Sequence, residues 1–171
     1  MYNLNWKKDG LTKQKLGVFG EYYAKMSFLS YGISIYTTEI DDHGIDFIAE
    51  TKKGLFKIQV KTIRNGTRYI YVRKKYFDCL DPNLYLFVVL LINDKPPFLY
   101  LIPSSAWHNE DEKVFVYYDY KGKKSKPEYG INLSKRNLHY LEKYKMENVI
   151  NQWQWKNIEQ SLSTIFIDVI M

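Results

Sequence analysis

Cysteine is almost missing from this chain: Cys79 is the only one in 171 residues. A lone thiol excludes a disulfide framework and a cysteine-based zinc site, and it fits a reducing cytoplasm. Long apolar runs are missing too. The longest, LYLFVVLLI from Leu84 to Ile92, falls far short of the roughly 20 residues a bilayer-spanning helix needs. The opening stretch MYNLNWKKDG has no apolar h-region, so neither membrane insertion nor secretion is expected. No internal repeat and no low-complexity tract breaks the chain. Acid is absent from one long stretch: between Gln59 and Phe77 there is no Asp or Glu, while Lys61, Arg64, Arg68, Arg73, Lys74 and Lys75 are all basic.

What is present points to one compact domain. A hydrophobic content of 46% at this length supports a sizeable core, expected over about residues 12–145, with 146–171 as an aromatic, apolar tail suited to an interface. Sixteen tyrosines exceed what a core requires and leave rings for stacking. A formal charge of +6 favours an anionic partner, and nucleic acid is the commonest for a basic domain of this kind.

Leu16, Phe19, Tyr23 and Met26 recur at three- and four-residue steps, which predicts a helix over 12–31 that stops at Tyr31-Gly32. Gly17 and Gly20 inside it point to close approach by other backbone near Glu21. ISIYTTEI reads as a strand, and RYIYV, FLYLIP and KVFVYY as three more. Leu84 to Ile92 is apolar on both faces, as in a central strand with helices on each side. INLSKRNLHYLEKYK reads as a helix capped by Ser134, with Leu138, Leu141 and Tyr144 inward. NVINQWQWKNIEQSL suits a helix and TIFIDVI an edge strand or interface segment. The order helix, three strands, then further elements gives an α/β fold around a mixed sheet.

The stretch GIDFIAETKKGLFKIQVK, residues 44–61, carries the chemistry. Alternation puts Ile45, Phe47 and Ala49 on one face, and Phe56, Ile58 and Val60 with them on the return strand. With a turn of two or four residues around Thr51-Lys52-Lys53-Gly54, Asp46 falls opposite Gln59 and Lys61 becomes the diagonal neighbour. Two carboxylates (Glu21, Asp46) and an amide oxygen suit a hard cation such as Mg²⁺, and Lys61 adds a positive charge beside them. Phosphodiester hydrolysis asks for such a set.

In GVFGEYYA around Glu21, HGID ending at Asp46 and QVK at Gln59-Val60-Lys61, the chain resembles the PD-(D/E)XK nuclease superfamily, whose members include restriction endonucleases and Holliday-junction resolvases. The resemblance spans about residues 16–103. It implies a restriction-endonuclease-like α/β fold: a mixed β-sheet flanked by helices, with an N-terminal helix followed by a three-strand meander. It further implies a Mg²⁺-dependent endonuclease, Mn²⁺ substituting, that hydrolyses DNA. Glu21, Asp46, Gln59 and the Val60 main-chain carbonyl would be metal ligands, and Lys61 would position or activate the attacking water. Cutting two strands with one site per chain implies a homodimer by analogy. The chain departs from the family at two points: the usual acid before the lysine is Gln59, and Ile45 stands where the proline of the name would be.

For nucleic-acid contact the expected residues are Arg64, Arg68, Tyr69, Tyr71, Arg73, Lys74, Lys75 and His43, with KGKKSK from Lys121 to Lys126 as a further basic loop. RNA stays open beside DNA. Asp41 and Asp42 read as turn residues beside a second-metal role, and His43 as a turn residue beside a phosphate contact. Two other readings remain at this level. One is a catalytically inactive nucleic-acid-binding module of the same fold, motivated by Gln59. The other is a protein-interaction domain with an Asp46–Lys61 ion pair.

Overall fold

The computed structural model describes residue 6 and residues 11–37, 44–108, 113–134 and 136–153. Helix α1 (Lys13–Ser30) starts where the Thr12 side chain accepts from the Lys15 amide at 3.3 Å. It stops at Gly32, whose φ of +72 is the left-handed turn that glycine takes without strain. There Gly32 N–H bonds the Leu29 carbonyl at 2.9 Å and Ile33 N–H bonds the Phe28 carbonyl at 3.2 Å, closing the helix end on its own last turn. The buried stripe runs through Leu16, Gly20, Ala24, Ser27 and Phe28. Met26, expected inside, is 58% exposed. Two small residues, Gly20 and Ala24, let the helix lie close on the sheet, and the contact line turns toward them and away from Met26.

Strands β1 (Ser34–Tyr36), β2 (Phe47–Thr51) and β3 (Gly54–Arg64) form the expected antiparallel meander. Of the stretch read as the first strand, residues 38–40 lie outside the described residues. The β2–β3 turn uses two residues, Lys52 and Lys53, with Thr51 opposite Gly54. Strand β4 (Tyr69–Arg73) leaves this sheet. Strand β5 (Leu84–Leu91) returns to it parallel to β3, and β6 (Phe98–Pro103) pairs antiparallel with β5, for an order β1-β2-β3-β5-β6. Strands β7 (Phe115–Tyr118) and β8 (Glu128–Asn132) join β4 in a second sheet of order β4-β8-β7.

Two cores sit on the two faces of the main sheet. On one, Leu16, Ala24 and Phe28 of α1 meet Phe47, Ala49, Phe56, Ile58, Val60 and Phe87, and Met146, Val149, Ile150 and Trp153 of a helical segment at 146–153 complete the cluster. On the other, Leu84, Leu86, Val88 and Ile102 pack against Ile70, Val72, Phe115 and Ile131 of the second sheet. β5 is therefore buried on both faces, as expected, but a sheet covers its second face where a helix was expected. The strand EYGIN has no counterpart in the sequence reading, which places only a helix, capped by Ser134, in this part of the chain. That helix is a 3-10 segment, Leu138–Tyr144. Leu138, Leu141 and Tyr144 recur at three-residue steps, the period of a 3-10 helix and not of an α-helix. Ser134 does cap a turn, accepting from Asn137 N–H at 3.2 Å. Among the described residues no helix is long and apolar enough to cross a membrane.

The two helical glycines differ. A Cβ on Gly20 would run into the Thr62 side chain on β3, whereas one on Gly17 would meet nothing within 4 Å. Gly20→Ala is expected to cost about 1–3 kcal/mol by overpacking. Gly17→Ala is expected to gain about 0.5–1 kcal/mol from the helix backbone. Urea unfolding midpoints of the two variants measure both, and a loss in each would remove the distinction.

Candidate active site

The site grows from the unequal lengths of β2 and β3. Their ladder begins at Phe47 opposite Ile58, and one step earlier Asp46 N–H still bonds the Ile58 carbonyl at 2.9 Å. Beyond that point β2 offers β3 no further backbone. The next amide of β3 on this edge, Val60 N–H, donates instead to Asp46 Oδ2 at 2.5 Å. N–H and C=O of an extended residue point to the same edge, so the Val60 carbonyl opens beside the Asp46 carboxylate. The pairs Phe47–Ile58 and Ile48–Lys57 keep the register that an even-length turn predicts, but the ladder stops there, and Asp46, expected opposite Gln59, bonds the Ile58 carbonyl instead.

Gln59 is 5% exposed, yet its Oε1 has no hydrogen-bond partner. Orphaned amide oxygens in a protein interior cost about 1–3 kcal/mol, so such an atom calls for an explanation. The other end of the same side chain is wedged. A Cβ on Gly44 would lie 3.0 Å from Gln59 Nε2 and 2.9 Å from Tyr76 Cβ, and Gly44 has φ +71, so both space and backbone require glycine in HGID. Thr62 Oγ1 is a second buried oxygen without a partner, and sequence reasoning missed it. Its only signal was the position next to Lys61 on β3.

Gln59, Lys61 and Thr62 open on one groove of about 870 Å³ between the main sheet and β4, which Lys13, Arg64, Tyr69 and Arg73 also line. Among the described residues no acidic one lines it. Glu21 is half-buried on α1, one residue after the Gly20 contact with β3. Among the described residues no three His, Cys, Asp or Glu side chains cluster as metal ligands. A cation held here would draw on Asp46, the Gln59 amide oxygen, the Val60 carbonyl and Glu21, a hard-oxygen set with two carboxylates at most. The orphaned Gln59 oxygen fits that use.

The residues expected to touch nucleic acid divide. Arg64 donates from Nε to the Trp6 carbonyl at 2.7 Å and from Nη2 to the Leu11 carbonyl at 2.6 Å, so its guanidinium ties the N-terminal segment to β3 while flanking the groove. Tyr69 donates to Glu128 Oε1 at 2.9 Å; burial first, and Glu128 second, hold its phenol well above the usual range. Arg68, Tyr71, Arg73, Lys74 and Lys75 are exposed on or beside β4. Lys74 lies over the Tyr117 ring at 5.1 Å and Lys75 over Tyr76 at 4.0 Å. His43, Asp41 and Asp42 lie outside the described residues.

Among solved structures the chain is similar to a bacterial homing endonuclease, I-Ssp6803I, with TM-score 0.50 and 13% identity over 89% of this chain and 98% of that one. The chain shares the fold of that protein. It is also similar to Hjc of Archaeoglobus fulgidus, a Holliday junction resolvase, with TM-score 0.43 and 10% identity over 68% of this chain and 83% of that one. No protein-family model and no curated protein sequence matches the chain.

The two polar residues at the ladder's end separate in a stability measurement. Asp46→Ala removes the acceptor of a half-buried amide and is expected to lower stability by about 1–3 kcal/mol. Gln59→Met keeps the volume and deletes an oxygen that bonds nothing, so it is expected to hold or raise the urea midpoint. A fall for Gln59→Met equal to that for Asp46→Ala would show that the Gln59 amide has a structural partner.

Proposed function

We propose that the chain is a metal-dependent endonuclease that hydrolyses DNA phosphodiester bonds. One observation carries the reading: a buried amide oxygen without a partner, Gln59 Oε1, one residue before the Val60 amide that donates to Asp46, beside Lys61 in a groove that none of the described acidic residues lines. The fold similarity to a homing endonuclease supports it. Asp46, Gln59, Glu21 and the Val60 carbonyl would hold Mg²⁺, and Mn²⁺ would fill the same set. When bound, the ion would supply Lewis acidity to the phosphate and lower the pKa of a water. Lys61 holds and orients the attacking water and offsets charge that builds on the phosphate oxygens. Arg73 and its basic neighbours on β4 draw the phosphate backbone into the groove. Two cuts per duplex would take two copies of the chain, a homodimer, and the single cysteine suits a cytoplasmic setting.

Gln59 also favours a second reading, a nucleic-acid-binding module of the same fold that no longer cuts, because an amide brings one negative charge fewer to a cation. Plasmid nicking in Mg²⁺ and in Mn²⁺ decides between them. Wild type is expected to nick, Asp46→Ala and Lys61→Ala to lose at least about 100-fold in rate, and all three to bind DNA alike in EDTA. Binding without nicking by wild type in either metal would leave only the module.

A further inference from the structure

The outer face of the second sheet is an aromatic platform. Register places Tyr69, Tyr71 and Arg73 of β4, Glu128 and Gly130 of β8, and Tyr118 of β7 on it, opposite the buried Ile70, Val72 and Ile131. Gly130 has a reason to lack a side chain here, since a Cβ would strike the Tyr69 ring, which lies across the bare backbone. Tyr69 and Tyr71 are near parallel with centroids 6.3 Å apart, Tyr69 and Tyr118 are 6.2 Å apart, and Tyr118 and Tyr120 are 5.7 Å apart. Glu128 Oε1 accepts from both Tyr69 and Tyr120 at 2.9 Å, which fixes the two inner rings and engages the acid of this face. The outer rings stay accessible: Tyr71 is 50% and Tyr118 41% exposed.

Charge says what would cover such a face. Arg73 and Lys74 stand at one end of β4, and at the same end the β7–β8 connection carries exposed Lys121, Lys123, Lys124 and Lys126. Tyr69, Tyr71 and Arg73 also line the groove that holds Gln59 and Lys61, so the platform continues the candidate site. Rings preset by a carboxylate and framed by cations suit a strand whose bases are unpaired; in a duplex the base faces are already stacked on one another and only backbone and base edges are offered.

The geometry points to a single-stranded DNA subsite: Tyr71 and Tyr118 stack unpaired bases of a strand that runs from the groove onto the outer face of the β4-β8-β7 sheet. This rests on the reading of the groove as a DNA site, and it makes the substrate a DNA with an unpaired stretch beside the cut.

Fluorescence anisotropy in EDTA, with a labelled 12-nucleotide oligo-dT and a duplex of the same length, tests it without cleavage. The Tyr71→Ala/Tyr118→Ala double variant is expected to bind the single strand about tenfold more weakly than wild type, with duplex binding changed less than about twofold. The Tyr71→Phe/Tyr118→Phe variant, which keeps both rings, is expected to bind as wild type. Both residues are exposed, and a urea midpoint like that of wild type verifies the fold of each variant. Single-strand binding untouched by the alanines, or equal losses for single strand and duplex, would overturn the subsite. Loss of nicking alone would overturn only the cleavage reading.

Discussion

A strand that outruns its neighbour organises this molecule. β3 continues to Arg64 while its hairpin partner β2 ends its ladder at Phe47 opposite Ile58. An unpaired amide on the abandoned edge would be costly to bury, and the chain satisfies Val60 N–H with the side chain of Asp46. That substitution of carboxylate for backbone ties an acid to β3 at the residue between Gln59 and Lys61. Alternation then sends Val60 toward the first core and Gln59 and Lys61 toward the groove. The polar residues of QVK are thus consequences of where the ladder stops.

The two faces of the main sheet carry different loads. Helix α1 and the segment at 146–153 lie on the same side, where Phe28, Phe56 and Trp153 pack ring to ring. The other side is closed by a small sheet whose edge strand, β4, borders the groove. Covering β5 with strands has a physical consequence that a helix would not have: β4 presents alternate residues outward along an extended edge, so Tyr69, Tyr71 and Arg73 come in a row beside the site. Glu21 follows directly on Gly20, where α1 lies against Thr62 of β3.

Local pattern revealed what local physics decides. The hairpin register was legible because an even-length turn and an apolar face leave one pairing that buries Phe47, Ala49, Phe56 and Ile58 together. The α1 end was legible from Tyr31-Gly32. Partnerships across long separations were not. Nothing in RYIYV says that it pairs with EYGIN across a long stretch of chain, and Gly130 argues against a strand until the Tyr69 ring is seen to occupy the space. Arg64 read as one of a basic run, but its guanidinium bonds the carbonyls of Trp6 and Leu11, a use of charge that composition cannot announce. Glu128 was hidden for the same reason, since its two tyrosine partners come from strand β4 and from the loop after β7.

An amide in place of an acid at position 59 has a charge consequence that the groove makes sharper. A dication attracted by two carboxylates and neutral oxygens is held less strongly than one facing three carboxylates, and Lys61 in the same groove opposes it further. On the endonuclease reading a DNA phosphate would supply the missing negative charge in that space, and the basic row on β4 would favour its entry. On the proposed reading, cation and substrate therefore strengthen each other's binding, because each carries the charge that the other's site lacks. An acid at position 59 would let the cation bind alone and would repel the phosphate. On that reading the amide makes the assembled site a property of the protein and its nucleic acid together.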